Sequence, residues 1–426
     1  MLNKFLTYLL YVTPIFFILG NPFINLFVLA ICLSFYYVRI NYKFIDKKLI
    51  YLLILFSLIL FIGSASSNYL EYSLTKSLSY LRFFILLIIL PLFIKKIEIN
   101  LKNMGIIFLS IVVLVIFDTL IQLFLGKDIF GYPIDNSYNR LSGPFGDELI
   151  VGHFVFYFSF ISLALILKSI NINSYFLFLF FLIIGIFAFI TGERNTFLSY
   201  FIFMFFLIFF SKKKITIILS CIVVILISTS LFLNFERFNH KYSFNQIQTF
   251  QSKENDNKQE QNQTSKVSFF NKINDKVVNS IWFSHYRGGL KIFEKNKLYG
   301  SGFKTFRYQC RSQFSNEKLR EQSKIICTSH PHNIYIELLS DTGILGFGIF
   351  LIICLYYLLK SIKNNWSKKN LSASIINCLF ITFLFPFKPH GSLFSTSTAF
   401  ILWFIFSLLI LDLISKKFDK PKILQA

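Results

Sequence analysis

The sequence predicts an all-α polytopic membrane protein of about twelve transmembrane helices, and three observations predict it. Hydrophobic residues make up 55% of the 426, 57 of them are Phe, and mean hydropathy is +0.61, well outside the range of soluble domains. Apolar runs recur at the length of roughly 20 residues that a helix needs to cross a hydrocarbon core of about 30 Å. Those runs lack the polar alternation of barrel strands, and only helices or closed barrels satisfy the backbone in lipid.

Taken in order, residues 5–21 form the first span. Lys4 precedes it, but no small-x-small cleavage site follows at "ILGNPF" and further spans do, so it is expected to be an uncleaved signal anchor. After the short "GNP" comes 22–38, whose far side carries Arg39, Lys43, Lys47 and Lys48. Spans 49–65 and 79–94 flank "SSNYLEYSLTKS", and Lys95, Lys96 and Lys102 follow. Spans 104–125 and 148–167 lead to Lys168, and 174–190 and 195–211 meet at the tight turn "TGERN" before Lys212, Lys213 and Lys214. Span 215–233 precedes the long loop, 334–359 precedes Lys360, Lys363, Lys368 and Lys369, and 371–387 and 397–415 flank "FKPHGSLF". Lys416, Lys417, Lys420 and Lys422 close the chain.

Basic residues therefore gather in alternate loops, which by the positive-inside rule puts both termini in the cytoplasm. Much of the net charge of +22 is thereby a topology signal directed at anionic lipid, and no nucleic-acid partner is needed. Residues 1–426 are expected to form one membrane domain, with 234–333 as an outer, periplasmic loop between the ninth and tenth spans. Within it, the polar low-complexity stretch 251–266 is expected to be disordered. Cys32, Cys221, Cys354 and Cys378 fall in or beside spans, where a free thiol acts as a small hydrophobe. Cys310 and Cys327 sit in the outer loop, where an oxidising compartment would let them pair for about 3 kcal/mol; two unpaired thiols are the alternative.

The outer loops and span ends are chemically rich. Arg82 is expected near the outer end of the fourth span, Asp118 and Gln122 lie one turn apart in the fifth, and "NRLSGPFGDELIVG" with Arg140 leads into the sixth. "TGERNTF" brings Arg194, "SHYRGGLKIFEKNKLYGSGF" brings Arg287, and "KPHGS" brings Lys388 and His390. Several arginines at one level suggest an anion, since the guanidinium fork matches phosphate oxygens; taken singly, Arg82 and Arg194 could simply snorkel to the interface. In "TSHPHNIYIELLSDTGILGFG", Pro331 disfavours helix at His330, so a helix should begin near Asn333, a good N-cap. The helix dipole disfavours an imidazolium there, so a neutral His332 could serve as a general base, although capping alone would also explain the histidines. Gly343 and Gly346 have the spacing of close helix packing.

His332-Asn333, nine residues, then Gly343-Ile344-Leu345-Gly346 resembles the H-N-x9-G-x-x-G signature of the O-antigen ligase and polymerase superfamily of bacterial membrane glycosyltransferases. "TGERNTFLSYFIF" and "HYRGGLKIFEKNKLYGSGFKTF" resemble that family's arginine-bearing segments, most firmly from about residue 180 to 360. The resemblance implies a GT-C-like fold in the inner membrane with its site on the periplasmic face. It implies an undecaprenyl-pyrophosphate-linked glycan as donor and a sugar hydroxyl, on lipid A–core or another glycan, as acceptor. Neither metal nor cofactor is implied, in keeping with the lack of a D-x-D pair, a Walker loop or zinc spacing. By the same resemblance Arg194 and Arg287 grip the pyrophosphate and His332 deprotonates the attacking hydroxyl, with inversion at the anomeric carbon. Asn333, Arg82, Arg140, Lys388 and His390 are supporting candidates, while Tyr335, one turn on, is more simply an interfacial tyrosine. Glu193 departs from the small residue common before the turn arginine, and is expected either to pair with Arg194 or to orient it. A ligase leads, a repeat-unit polymerase shares its chemistry, and a twelve-span transporter or lipid flippase is disfavoured because no internal repeat appears and polar residues gather at one face.

Overall fold

The computed structural model describes residues 2–38, 46–135, 140–238, 281–314 and 325–418. The chain runs through α1 (Leu2–Tyr11), α2 (Thr13–Ile18), α3 (Asn21–Val38), α4 (Lys47–Ala65), α5 (Leu70–Lys96), α6 (Leu101–Leu125), α7 (Val151–Ile166) and α8 (Ser174–Ile190). It continues through α9 (Arg194–Phe210), α10 (Lys214–Asn234), α11 (Ile281–Lys295), α12 (Phe306–Gln313), α13 (Ile334–Asn365), α14 (Leu371–Phe383) and α15 (Thr396–Phe418). No β-strand occurs among the described residues. Six of these helices, α4, α5, α6, α10, α13 and α15, are long and apolar enough to cross a membrane; α3, α7, α8, α9 and α14 are shorter and apolar. The low-complexity stretch 251–266 lies outside the described residues.

Boundaries differ from the sequence expectation where local chemistry intervenes. Residues 5–21 do not form one helix: Pro14 sits in the first turn of α2, where its missing N–H is harmless, and Val12 breaks the ladder at φ −97°, ψ 13°. In contrast α5 begins nine residues before its apolar run. Thr75 and Ser79 donate to carbonyls four residues back, at 2.8 and 2.7 Å, so the hydroxyls of the polar "EYSLTKS" stretch are satisfied within the helix. Arg82 thereby falls in the middle of the helix.

Within a bilayer, moving an apolar side chain from lipid to protein gains little, so close fit and interhelical hydrogen bonds must hold the bundle together. Gly105 supplies fit between α6 and α7, since a Cβ there would lie 2.8 Å from the Ser162 carbonyl. Ser372 of α14 donates to the Ala164 carbonyl of α7 at 2.7 Å. At the centre, Trp403 of α15 is fully buried; its Nε1 donates to the Tyr80 hydroxyl of α5 at 3.0 Å, and its ring meets Phe84 edge-on at 5.2 Å.

Outside the bundle, α11 and α12 share a small core of Ile292, Phe306, Cys310 and Ile325. Cys310 and Cys327 are disulfide-bonded, with Cα atoms 5.6 Å apart. This unit docks on α13 through a break in that helix. Gly343 adopts φ 65°, ψ −171°, a conformation only glycine takes readily, and interrupts the ladder. The freed Ile344 and Leu345 N–H groups donate to the Lys297 and Leu298 carbonyls at 2.8 and 3.3 Å, and Ser301 N–H donates to the Ser340 carbonyl at 2.9 Å. The two glycines are therefore not equivalent packing positions: Gly343 seats the loop that follows α11, whereas Gly346 lies over Thr342 and Ile59.

Candidate active site

The polar end of the bundle is built where α7, α9, α13 and the loop after α14 begin or end. At the mouth of α13 Asn333 is the N-cap, as expected. Its Oδ1 accepts from the Tyr335 and Ile336 N–H groups at 3.0 and 3.2 Å, and its Nδ2 donates to the Pro386 carbonyl at 2.9 Å. His332, just before it, is held at φ 57°, a left-handed conformation unusual outside glycine. Its ring lies 4.2 Å from that of His330 and 4.9 Å from that of His285, and Trp282 meets it edge-on at 5.3 Å.

Helix α11 reaches this point because "RGG" is thin on two sides. A Cβ on Gly289 would lie 2.4 Å from Ile336, and one on Gly288 would lie 3.5 Å from the Cys310 sulfur. Three imidazoles packed together cannot readily carry charge. Burial foremost, then His330 and His285, holds His332 down to about 3; burial likewise takes His330 to about 4 and lowers His285. His332 is accordingly neutral at physiological pH, through burial more than through the helix dipole.

The loop after α14 is latched onto the mouth of α13. His390 N–H donates to the His332 carbonyl at 2.8 Å, and the His390 carbonyl lies 3.2 Å from His330 Nε2. Leu393 N–H and the Ser392 hydroxyl both donate to the Glu337 carboxylate, the former at 2.7 Å, and the Tyr335 hydroxyl donates to the Leu384 carbonyl. The loop thus carries Lys388, 1% exposed, and His390, 6% exposed, into the interior. Lys388 Nζ donates to Ser199 Oγ of α9 at 3.1 Å, and burial pulls it down to about 7.

Glu193, at the N-cap position of α9, does not pair with Arg194 as one expectation had it. Its fully buried carboxylate turns to α7, accepting from Gly152 N–H at 2.8 Å and His153 N–H at 3.2 Å, with His153 Nδ1 at 2.5 Å and Thr196 Oγ1 at 2.7 Å. Arg140 Nη2 is 3.7 Å away and donates to the Leu149 carbonyl at 2.6 Å. Burial opposes the charge of Glu193, but His153 and then Arg140 outweigh it and hold the carboxyl below its ordinary value. His153 Nε2 lies 3.0 Å from Asn195 Nδ2, one residue beyond exposed Arg194.

His332, Asn333, Lys388 and His390 are thus brought together, with Arg140 and Arg194 on the α7–α9 side. Two expected residues stand apart. Arg82 is committed to α3, with Nη2 2.9 Å from Asn25 Oδ1. Arg287 lies over Phe283 at 5.0 Å, two residues on from His285 and so about 200° round α11 from the face that meets His332. Gln122 and Asp118 are architectural: Gln122 Oε1 accepts from Ser142 and Gly143 N–H at 3.0 and 2.9 Å, and Asp118 accepts from Ile129 N–H at 2.9 Å. Sequence inspection missed His153, His285 and Glu337. A hint existed for His285, which stands four residues before Gly289; nothing local marks the other two. No group of three or more His, Cys, Asp or Glu side chains placed to hold a metal ion occurs among the described residues.

Residues 178–351 match the family described as O-antigen ligase. That segment includes Arg194, Arg287, His332, Asn333 and both motif glycines; it leaves out Arg140, His153, Lys388 and His390. The match supports the O-antigen ligase superfamily for this chain. No curated protein matches it.

Proposed function

We propose that this chain, whose residues 178–351 carry the O-antigen ligase match, is a membrane glycosyltransferase that moves a glycan from undecaprenyl pyrophosphate to a sugar hydroxyl on lipid A–core or a similar acceptor, at the periplasmic face of the inner membrane. The observation that carries this is His332. It is held in a left-handed conformation at a helix mouth and kept neutral, and its carbonyl is tied to a loop bearing buried Lys388 and His390.

In the proposed step the acceptor hydroxyl oxygen attacks the anomeric carbon and its proton passes to an imidazole nitrogen of His332. The bond from that carbon to the pyrophosphate oxygen breaks, its electron pair leaves with the pyrophosphate, and the configuration inverts. Burial makes His332 a feeble base. An anion beside it favours imidazolium, so the donor's own charge would strengthen the base at the moment it is needed. Cations placed where that charge grows stabilise the transition state. Arg194, exposed at the first position of α9, is the candidate on the α7–α9 side; Arg287 would act from the opposite face of α11.

His332→Ala should abolish glycan transfer while leaving expression and membrane insertion intact, and full transfer by that variant would sink the assignment. Deleting the gene and resolving surface glycans on a gel tests the class. Carrier-bound polymer accumulating without transfer fits ligation, a single capped repeat unit fits polymerisation, and unchanged glycans refute both.

A further inference from the structure

Where the turn between α4 and α5 meets the loop after α11, a cavity opens beside α12. The two segments fit closely: Ser67 Oγ donates to the Ser301 carbonyl at 2.7 Å, a Cβ on Gly63 would stand 2.4 Å from the Tyr299 carbonyl oxygen, and one on Gly302 would stand 2.4 Å from Ser67 Oγ. The cavity has a volume of about 310 Å³, at the lower end of the ~300–1,000 Å³ of small-ligand sites. Asn68, Asn296, Gln309 and Gln313 line it with amides, and of its lining residues only Lys295 is charged. Asn296 spends Nδ2 on the Ile292 carbonyl at 3.2 Å and Gln309 spends Nε2 on the Ser301 carbonyl at 3.4 Å, which leaves both amide oxygens to accept. Gln313 Oε1 is buried with no hydrogen-bond partner among the described residues, and an unmet buried acceptor is costly. Such a lining calls for a ligand rich in donors. Sugar hydroxyls donate, whereas an ionised phosphate offers only acceptors.

An aromatic shelf adjoins the cavity. Tyr69 follows Asn68 and Tyr308 precedes Gln309; their rings lie 5.2 Å apart, and Tyr72 meets Tyr308 edge-on at 4.9 Å. Tyr308 is 36% exposed, so part of its ring is presented to solvent instead of being spent on packing. A sugar ring carries a C–H face that packs on an aromatic face and a rim of hydroxyls that reach amides, and tyrosine with short polar side chains supplies both kinds of contact at low cost in conformational entropy. The shelf also lies toward the candidate active site. Ser301 N–H donates to the Ser340 carbonyl of α13, and Arg307, one residue before Tyr308, is near enough for its charge to act on both Tyr72 and His330.

We propose that this cavity and its tyrosine shelf bind a stretch of uncharged glycan away from the reacting bond, with Tyr308 stacking on a sugar ring and Asn296, Gln309 and Gln313 accepting from its hydroxyls. The inference rests on the glycan transfer proposed above and adds a specificity subsite to it, built from residues outside the His332 cluster. Binding remote from the chemistry selects which glycan is held and positions its reacting end.

Saturation-transfer NMR on the full chain in nanodiscs reads binding without requiring transfer, so failure of the subsite is distinct from failure of the enzymatic proposal. Two saccharides from the source cells serve as probes, each freed of lipid by mild acid: the carrier-linked glycan, which stands for the donor, and the core saccharide, which stands for the acceptor. The probe that Tyr308→Ala and Asn68→Ala each weaken about tenfold names the occupant, and Tyr308→Phe, which keeps the ring face, should stay within about twofold of wild type. Tyr175→Ala, at an exposed tyrosine at the start of α8, should change neither probe. Melting curves identify any variant that fails to fold, and Asn68→Ala, in an exposed turn, then decides alone. Wild-type affinity for both probes in folded Tyr308→Ala and Asn68→Ala overturns the subsite, as does failure of the wild type to bind either probe. Displacement of the bound saccharide by inorganic pyrophosphate overturns its assignment to uncharged glycan.

Discussion

Replacing Gly343 by Ala probes the joint between the loop after α11 and the half of α13 that begins beside His332. The residue sits at φ 65°, ψ −171°, a region that costs a non-glycine residue on the order of 1–3 kcal/mol. The new Cβ would stand 2.2 Å from the Leu298 carbonyl oxygen and 2.6 Å from Gly300 N, both backbone atoms, so the loop must retreat. Retreat breaks the hydrogen bonds from Ile344 and Leu345 N–H, worth about 0.5–1.5 kcal/mol each, which brings the total to about 2–6 kcal/mol. Gly348→Ala is the control. Its Cβ would meet nothing within 4 Å, and Ala gains up to about 1 kcal/mol of helix propensity. Thermal unfolding in detergent should therefore show a large loss for Gly343→Ala and no loss for Gly348→Ala, with transfer falling in step with the former. Equal effects at both positions would refute this reasoning, because then neither the left-handed conformation nor the seat of the loop would set Gly343 apart.

Asn333→Asp keeps the acceptor for the α13 cap but loses the donor to the Pro386 carbonyl, whereas Asn333→Ala loses both, about 1 kcal/mol for the cap alone. Melting points should rank wild type above Asp above Ala; a tie between the two variants would show that the cap contributes nothing. His285, His330, His332 and His390 are all held below the ordinary histidine range, so below pH ~6.5 the unfolded chain binds protons that the folded chain refuses. Stability should then fall as pH drops from ~6.5 toward the folded values, which for His330 is about 4, and His330→Asn should flatten that fall in melting-point measurements against pH. Arg287→Lys should damage transfer if bidentate contact with phosphate is its task. Wild-type turnover would instead agree with its place over Phe283, away from His332.

Much of this protein is legible in one dimension. Apolar runs of bilayer length specify helices because no other element satisfies its backbone in lipid, and runs such as 49–65 and 104–125 come close to α4 and α6. The Pro331-His332-Asn333 order also fixes a helix start, since proline, cap and dipole act within a few residues. The bends are less legible. Pro14 divides the first run, and α5 extends through a polar stretch whose hydroxyls are satisfied within the helix, which hydropathy does not register. Which polar groups meet is set by packing across the bundle. Glu193 serves His153, 40 residues away, and not its neighbour Arg194, because the turn before α9 abuts the first turn of α7. Glu337 holds the loop that buries Lys388, and Gly343 is a break that seats Leu298 and not a packing stripe. Hydrogen bonds and helix faces are set by distances across the bundle, which no spacing along the chain encodes; Arg287 shows it, carried on the helix that touches His332 yet turned to the far side.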